Sequence, residues 1–168
     1  MKAQHRHILF ALVLIAGLFL INWLNSSSGI RPDISFTDID GQQHSMNDYA
    51  GKPMLLTFWA TDCPGCIQEM PDLIALHDQY AKQGLVMIEV AMAHDSLAHI
   101  KAMRDERNMP FIITWDHKSE MAMAFDNVRV TPTHFLIAPN GDIIMRKIGN
   151  ISADYMHEKL QKMGLVKS

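Results

Sequence analysis

Cys63 and Cys66 are the two cysteines of a 168-residue chain, and both lie in the stretch FWATDCPGC at residues 58–66. Pro64 and Gly65 separate them, and Asp62 comes directly before the first. Paired thiols at this spacing serve three chemistries. A structural zinc site takes about four ligands, usually from two such pairs. Here there is one pair, and the histidines at metal-ligand spacing, His94 and His99, belong to an unrelated segment. A structural disulfide across two residues closes a very short loop and gains little chain entropy. A redox dithiol needs one sulfur held as a thiolate and a second in reach to resolve a mixed disulfide. The pattern suits that third chemistry best.

A thiolate needs a favourable electrostatic setting, and the flanking sequence predicts one. PMLLTFWA at residues 53–60 is almost continuously apolar, as expected of a central strand buried on both faces. A helical pattern follows over residues 63–82 and stops before Gly84. Cys63 thus falls where a strand ends and a helix begins, beside unpaired N–H groups and the positive end of the helix dipole. Pro64 suits the first helical turn, and Cys66 lies one turn inside.

The rest of the chain alternates between strands and helices. ISFTDIDGQQHSM at residues 34–46 reads as a hairpin around Asp40-Gly41, and residues 47–53 as a turn. Residues 85–92 form a second buried strand, Ser96 caps a helix to about residue 108, and residues 111–115 are a short strand. A short helix over residues 119–125 precedes a strand–Asn140-Gly141–strand unit at residues 133–149. Ser152 then caps a last helix to about residue 163. This order predicts an α/β fold with a mixed sheet covered by helices on both faces.

The first thirty residues differ in kind. Lys2 and Arg6 precede an apolar run at residues 8–24, ILFALVLIAGLFLINWL. Seventeen helical residues reach roughly 25 Å, enough to cross a thin hydrocarbon core. A cleaved signal peptide is the competing reading, although no Ala-x-Ala pattern follows. An uncleaved anchor is preferred, with the positive flank in the cytoplasm and the domain in a periplasm-like space that permits disulfides. Residues 1–29 are therefore assigned to anchor and linker, and residues 30–168 to one domain. With 48% hydrophobic residues the chain can form a real core, and its 13 scattered methionines read as core filler. The formal net charge of −3 argues against nucleic-acid binding by bulk electrostatics.

Two segments carry a family resemblance. FWA, Cys-x-x-Cys and then Pro71 resemble the thioredoxin active-site helix with its internal proline, and VTPTHFLIAPNGDIIMRKIG at residues 130–149 resembles the second thioredoxin signature. The run IQEMPDL after Cys66, the length between the two segments and the apolar N-terminus point to the membrane-anchored TlpA, ResA and DsbE (CcmG) group. The resemblance implies a thioredoxin-like fold with an N-terminal hairpin extension, and a thiol–disulfide oxidoreductase acting as a protein-disulfide reductase. It implies that Cys63 attacks and Cys66 resolves, and that Pro132 is a cis-proline presenting the Thr131 backbone to substrate. Trp59 and Phe58 would pack beneath the motif, and the resemblance implies that Trp59 and Pro64 also help shape that surface. No cofactor is implied beyond the Cys63–Cys66 disulfide. The implied partners are exported disulfide-containing proteins, apocytochrome c being one class, and a membrane thiol carrier as electron donor.

Three positions depart from plain thioredoxin. Thr57 stands where thioredoxin has a buried aspartate that moves protons for the second cysteine. Glu69, on the same helix face as Cys66, is the replacement candidate, as a glutamate at this offset is in ResA-like proteins. A partly buried carboxyl there disfavours its own charge and can take up the Cys66 proton. Asp62 replaces a tryptophan. Its charge disfavours a Cys63 thiolate and makes the couple more reducing, whether or not Asp62 also caps the helix. Glu89 either approaches the motif or turns to an edge or a lysine. His134 reads as a strand histidine packed against a helix. It also motivates the alternative of a copper carrier using Cys63, Cys66 and His134. His94 and Asp95 form a polar corner with no required chemistry. A non-catalytic adaptor fits poorly with the intact pair and Pro132, and a peroxidase lacks its Thr-x-x-Cys, since Thr61 is two residues from Cys63.

Overall fold

The computed structural model describes residues 30–166, together with Ile15 and Gly17. The expected membrane-spanning run at residues 8–24 lies outside the described residues except at those two positions. Among the described residues, no helix is long and apolar enough to cross a membrane.

Strand β3 (Met54–Trp59) is buried at every position and forms the centre of a five-stranded sheet. On one side it pairs in parallel with β4 (Val86–Ala91), which pairs in parallel with β5 (Ile112–Trp115). On the other side it pairs antiparallel with β6 (Thr133–Ile137), and β6 with β7 (Ile143–Ile148). The mixed sheet expected from the strand order is therefore present, and the thioredoxin-like α/β fold with it. Ahead of it, β1 (Ser35–Thr37) and β2 (Gln43–Ser45) make the expected N-terminal hairpin. The hairpin docks on the β5 edge through Ile39 N–H to Ile113 O at 2.9 Å and Thr114 Oγ1 to Thr37 O at 2.7 Å.

Helix α1 (Pro64–Tyr80) continues through Pro71, α2 (Leu97–Arg107) is capped by Ser96, and α4 (Ala153–Lys162) by Ser152. In both caps the serine hydroxyl accepts an N–H of the first turn, as the sequence predicted. The short α3 (Glu120–Ala124) is held by Asp116, whose carboxylate accepts the Met121 and Ala122 N–H groups. One expectation changes. Met46, read as the end of the hairpin, and residues 47–49, read as the start of a turn, form a 3-10 helix (Met46–Tyr49), because Ser45 and Asp48 make a reciprocal capping box.

Alternation along the strands divides the core into two layers. Leu55, Trp59, Met87, Ala91, Ile113 and Leu136 pack under α1, α2 and α4. Leu56, Phe58, Ile88, Val90 and Phe135 face α3, where Phe58, Phe125 and Phe135 meet edge to face. Thr57, Glu89 and His134 point into the first layer, on the side of α1 and its cysteines.

Candidate active site

The chain leaves β3 at Trp59 and enters α1 at Pro64, so four residues turn it through the junction. The Cys63 backbone is extended, and its sulfur, 3.2 Å away, accepts the Cys66 N–H. Cys63 is thus itself the helix N-cap, which corrects the capping role considered for Asp62. A sulfur in this position sees unpaired helix N–H groups directly, and the helix dipole favours negative charge on it. The two sulfurs form a disulfide. Cys63 keeps 9% of its surface exposed and Cys66 only 1%. An incoming thiolate or disulfide therefore meets Cys63 first.

The approach loop is tied down by a residue to which the sequence reading gave no task. Asp95, in the loop after β4, accepts the Thr61 N–H at 2.7 Å and the Thr61 hydroxyl at 2.8 Å. It also accepts the Ser96 N–H at 2.8 Å. Asp62 beside it is 75% exposed and lies 3.3 Å from His94. An exposed pair of this kind contributes about 0–1 kcal/mol. Trp59 is fully buried, as expected of a residue packed beneath the motif, and it does not take the additional role at the substrate surface. Its strand is covered on both faces, so its ring cannot reach the exterior.

Facing the disulfide, the Thr131–Pro132 bond is cis, as expected. A second element, three consecutive residues after β7, holds three parts of the site. Gly149 N–H donates to Pro132 O at 2.8 Å, Asn150 Nδ2 to Gly65 O at 2.9 Å, and Ile151 N–H to Glu69 Oε2 at 3.2 Å. Gly149, at φ 83°, makes the turn that allows this. Gly65 is required for another reason: a Cβ there would sit 2.7 Å from Asn150 Oδ1 and 3.4 Å from Pro132 Cδ. Nothing in the sequence singled out Asn150, because its partner is 85 residues away.

Beneath the disulfide lies a polar row inside the apolar layer. Register places Glu89, Thr57 and His134 side by side on adjacent strands, with Ile113 and Lys147 at the two ends. Glu69 reaches the row from α1, with its Oε1 3.2 Å from His134 Nε2, although the two atoms are misaligned for a hydrogen bond. His134 Nδ1 is 3.2 Å from Thr57 Oγ1. Glu69 is 3% exposed, while Glu89 and His134 are completely buried. Glu89 therefore points to neither an edge nor a lysine. Burial pushes its carboxyl well above the ordinary glutamate range, the Glu69 charge adds to this, and the Thr57 hydroxyl opposes it. Neither Glu89 oxygen has a well-formed hydrogen bond. His134 does pack against a helix, as expected, but through the Glu69 carboxyl. With both ring nitrogens turned to Glu69 and Thr57, it does not present itself as a third ligand beside the cysteines. Among the described residues, no group of three or more His, Cys, Asp or Glu side chains converges as a metal site.

An accessible sulfur that can attack, bonded to a hidden one that can release it, is what a thiol–disulfide oxidoreductase requires, and this protein is one. Residues 30–146 match the AhpC/TSA family, and the chain belongs to it. It is 28% identical to the thiol-disulfide oxidoreductase ResA of Geobacillus kaustophilus over 97% of this chain and 99% of that protein. It is 34% identical to the thioredoxin-like protein YneN of Bacillus subtilis, over 77% of this chain and 75% of that one. A thiol:disulfide interchange protein of the thioredoxin family from Chlorobium tepidum shares the fold, with TM-score 0.73 and 24% identity over 82% of this chain and 96% of that one. The sequence-based grouping with TlpA, ResA and DsbE proteins agrees with these relatives.

Two outcomes are expected from this geometry. Glu89 holds its proton in the folded protein and releases it in the unfolded chain above the ordinary value of 4.5. Stability should therefore fall as pH rises from there, by up to about 1.4 kcal/mol per pH unit, until the folded-state carboxyl itself ionises. Urea denaturation of wild type and Glu89→Gln between about pH 5 and 8 measures this, and the variant should show the flatter dependence. In Gly65→Ala, the new methyl should displace the exposed Asn150 side chain and cost about 1 kcal/mol in the oxidised protein. Since that cost arises from Asn150, adding Gly65→Ala to Asn150→Ala should change stability by less than about 0.5 kcal/mol.

Proposed function

We propose that the protein is a membrane-anchored reductase of disulfides in exported proteins. The observation that carries this reading is the pairing of near-surface Cys63, seated on a helix N-terminus, with buried Cys66 and a buried carboxyl, Glu69, one turn further on. The Cys63 thiolate attacks a substrate disulfide. The substrate S–S bond breaks, one substrate thiolate leaves, and a Cys63–substrate disulfide forms. Cys66 gives its proton to Glu69 and attacks Cys63 Sγ, releasing the second substrate thiolate and closing the Cys63–Cys66 bond. The substrate gains two electrons and the cysteine pair loses two. A dithiol carrier in the membrane returns the electrons.

Three further assignments belong to this reading. The apolar run at residues 8–24 anchors the domain on the periplasmic side. The Thr131 backbone pairs with an extended substrate segment next to Pro132, and Pro64 with exposed Val130 borders the contact. Asp62 places negative charge near Cys63 and biases the couple toward reduction. Its exposure and its pairing with His94 keep that bias small. Cytochrome c maturation, which the sequence resemblance to the TlpA, ResA and DsbE group implies, is one pathway in which such a reductase would act.

Trapping tests the central claim. A Cys66→Ser variant should accumulate as a mixed disulfide between Cys63 and its partner, identifiable by mass spectrometry, and Cys63→Ser should accumulate none. Adducts forming equally with Cys63→Ser would reject the assigned roles. The redox potential tests the direction: Asp62→Asn should raise it, by no more than about 30 mV for a contribution under about 1.4 kcal/mol. An unchanged or lowered value removes Asp62 from the tuning role, and a wild-type potential near −120 mV, about that of DsbA, would reverse the net direction.

A further inference from the structure

We propose that Glu69 and His134 act as one buried proton store for Cys66, taking its proton when the disulfide forms and returning it when the disulfide is reduced, with Thr57 and Glu89 backing the store. The proposal rests on the reading of Glu69 as the Cys66 base and assigns that base its partners.

The argument begins with charge. The cluster contains two carboxyl groups and one imidazole, and among the described residues no lysine or arginine is buried. A carboxylate in such a setting costs several kcal/mol unless a positive group or a proton accompanies it. His134 is the only member of the cluster that can become positive, and its Nε2 lies 3.2 Å from Glu69 Oε1. The groups facing Glu69 are His134 from β6, the Ile151 N–H and, more distantly, Glu89 from β4. Those facing His134 are Glu69 from α1 and Thr57 from β3, with exposed Lys147 opposite it in the β7 register. Glu89, held protonated by burial, adds no second charge. In the disulfide form one proton shared between Glu69 and His134 leaves the cluster neutral; in the dithiol form that proton is on Cys66, and the carboxylate left behind is held by the Ile151 N–H.

Geometry also explains why the proton is stored rather than passed out. Glu69 borders an open cleft with Asp72 and Asn150, but its Oε1 and the His134 Nε2 facing it are both buried, so a proton shared between those two atoms does not meet water directly. On oxidation the Cys66 S–H proton moves to the Glu69 carboxylate, the Cys66 sulfur attacks Cys63 Sγ, and the substrate thiolate leaves with the electrons. On reduction a donor thiolate attacks Cys63, the Cys63–Cys66 bond breaks, and Cys66 departs as a thiolate that takes the stored proton back. The oxidised protein therefore carries one proton more in this cluster than the dithiol does.

The His134 imidazole should report that proton. Its ring resonances, assigned by their loss in His134→Gln, should titrate at a different pH in the disulfide and dithiol forms of the wild-type protein. Titration that is identical in both forms, or absent from both, overturns the proposal. Proton uptake on reduction, measured near neutral pH, should be about one proton larger in His134→Gln than in wild type; equal uptake also overturns it. Reduction of oxidised glutathione by the pre-reduced variant should be slowed at least about tenfold at acid pH and recover at alkaline pH, where hydroxide can deprotonate Cys66. A uniform loss at all pH values would indicate packing damage alone and reject the role. Glu69→Gln separates the layers of the argument. If its pH profile matches wild type, the base itself is misassigned. If it shifts while His134 titrates alike in both redox states, only the store fails.

Discussion

The chemistry of this protein depends on one junction, where a strand buried on both faces hands the chain to a helix within four residues. Because Cys63 is the helix N-cap, its sulfur occupies the place where a serine or aspartate oxygen would satisfy the first-turn N–H groups. A sulfur held in that place is stabilised as an anion by the backbone itself. The rest of the site follows from keeping the junction still. Asp95 ties the approach loop, Asn150 holds the Gly65 carbonyl, and cis-Pro132 closes over the glycine that leaves it room.

Below the junction, the fold accepts an unusual load. Four polar side chains lie in the layer between the sheet and α1, where leucine and methionine fill the neighbouring positions. Such groups weaken a core unless each meets a partner, and several oxygen and nitrogen atoms here are poorly matched. That arrangement is understandable in a thiol–disulfide oxidoreductase, because the hidden cysteine must lose and regain a proton in a region water does not enter. Two of the poorly matched atoms, Glu69 Oε1 and His134 Nε2, are those that the proposed proton store would use. Stability and reactivity are opposed here, and the opposition is confined to one row of the sheet.

The relatives and the fold fix the reaction class, while local substitutions set how this chain carries it out. Thr57 occupies the place of a carboxylate, and carboxyl groups return to the same space from two other elements, Glu69 on α1 and Glu89 on β4. Asp62 brings negative charge to the mouth of the site, where it is exposed to solvent and paired with His94. Trp59 serves as the buried floor beneath the motif.

By itself, the sequence determined the element order, the strand-to-helix position of the cysteines, the serine caps and the Asn-Gly hairpin. Each rests on local chemistry: periodicity, cap geometry, or a glycine that can take positive φ. It also identified Glu69, because a spacing of three along a helix fixes a shared face. Strand register was decided only by tertiary structure. One residue of slip would send Glu89 and His134 to the α3 layer, and nothing local in the chain sets the pairing of β3 with β4 and β6. For the same reason the contacts of Asn150, Ile151 and Asp95 were not legible: their partners are distant in sequence, and only the packed sheet brings them to the two sulfurs.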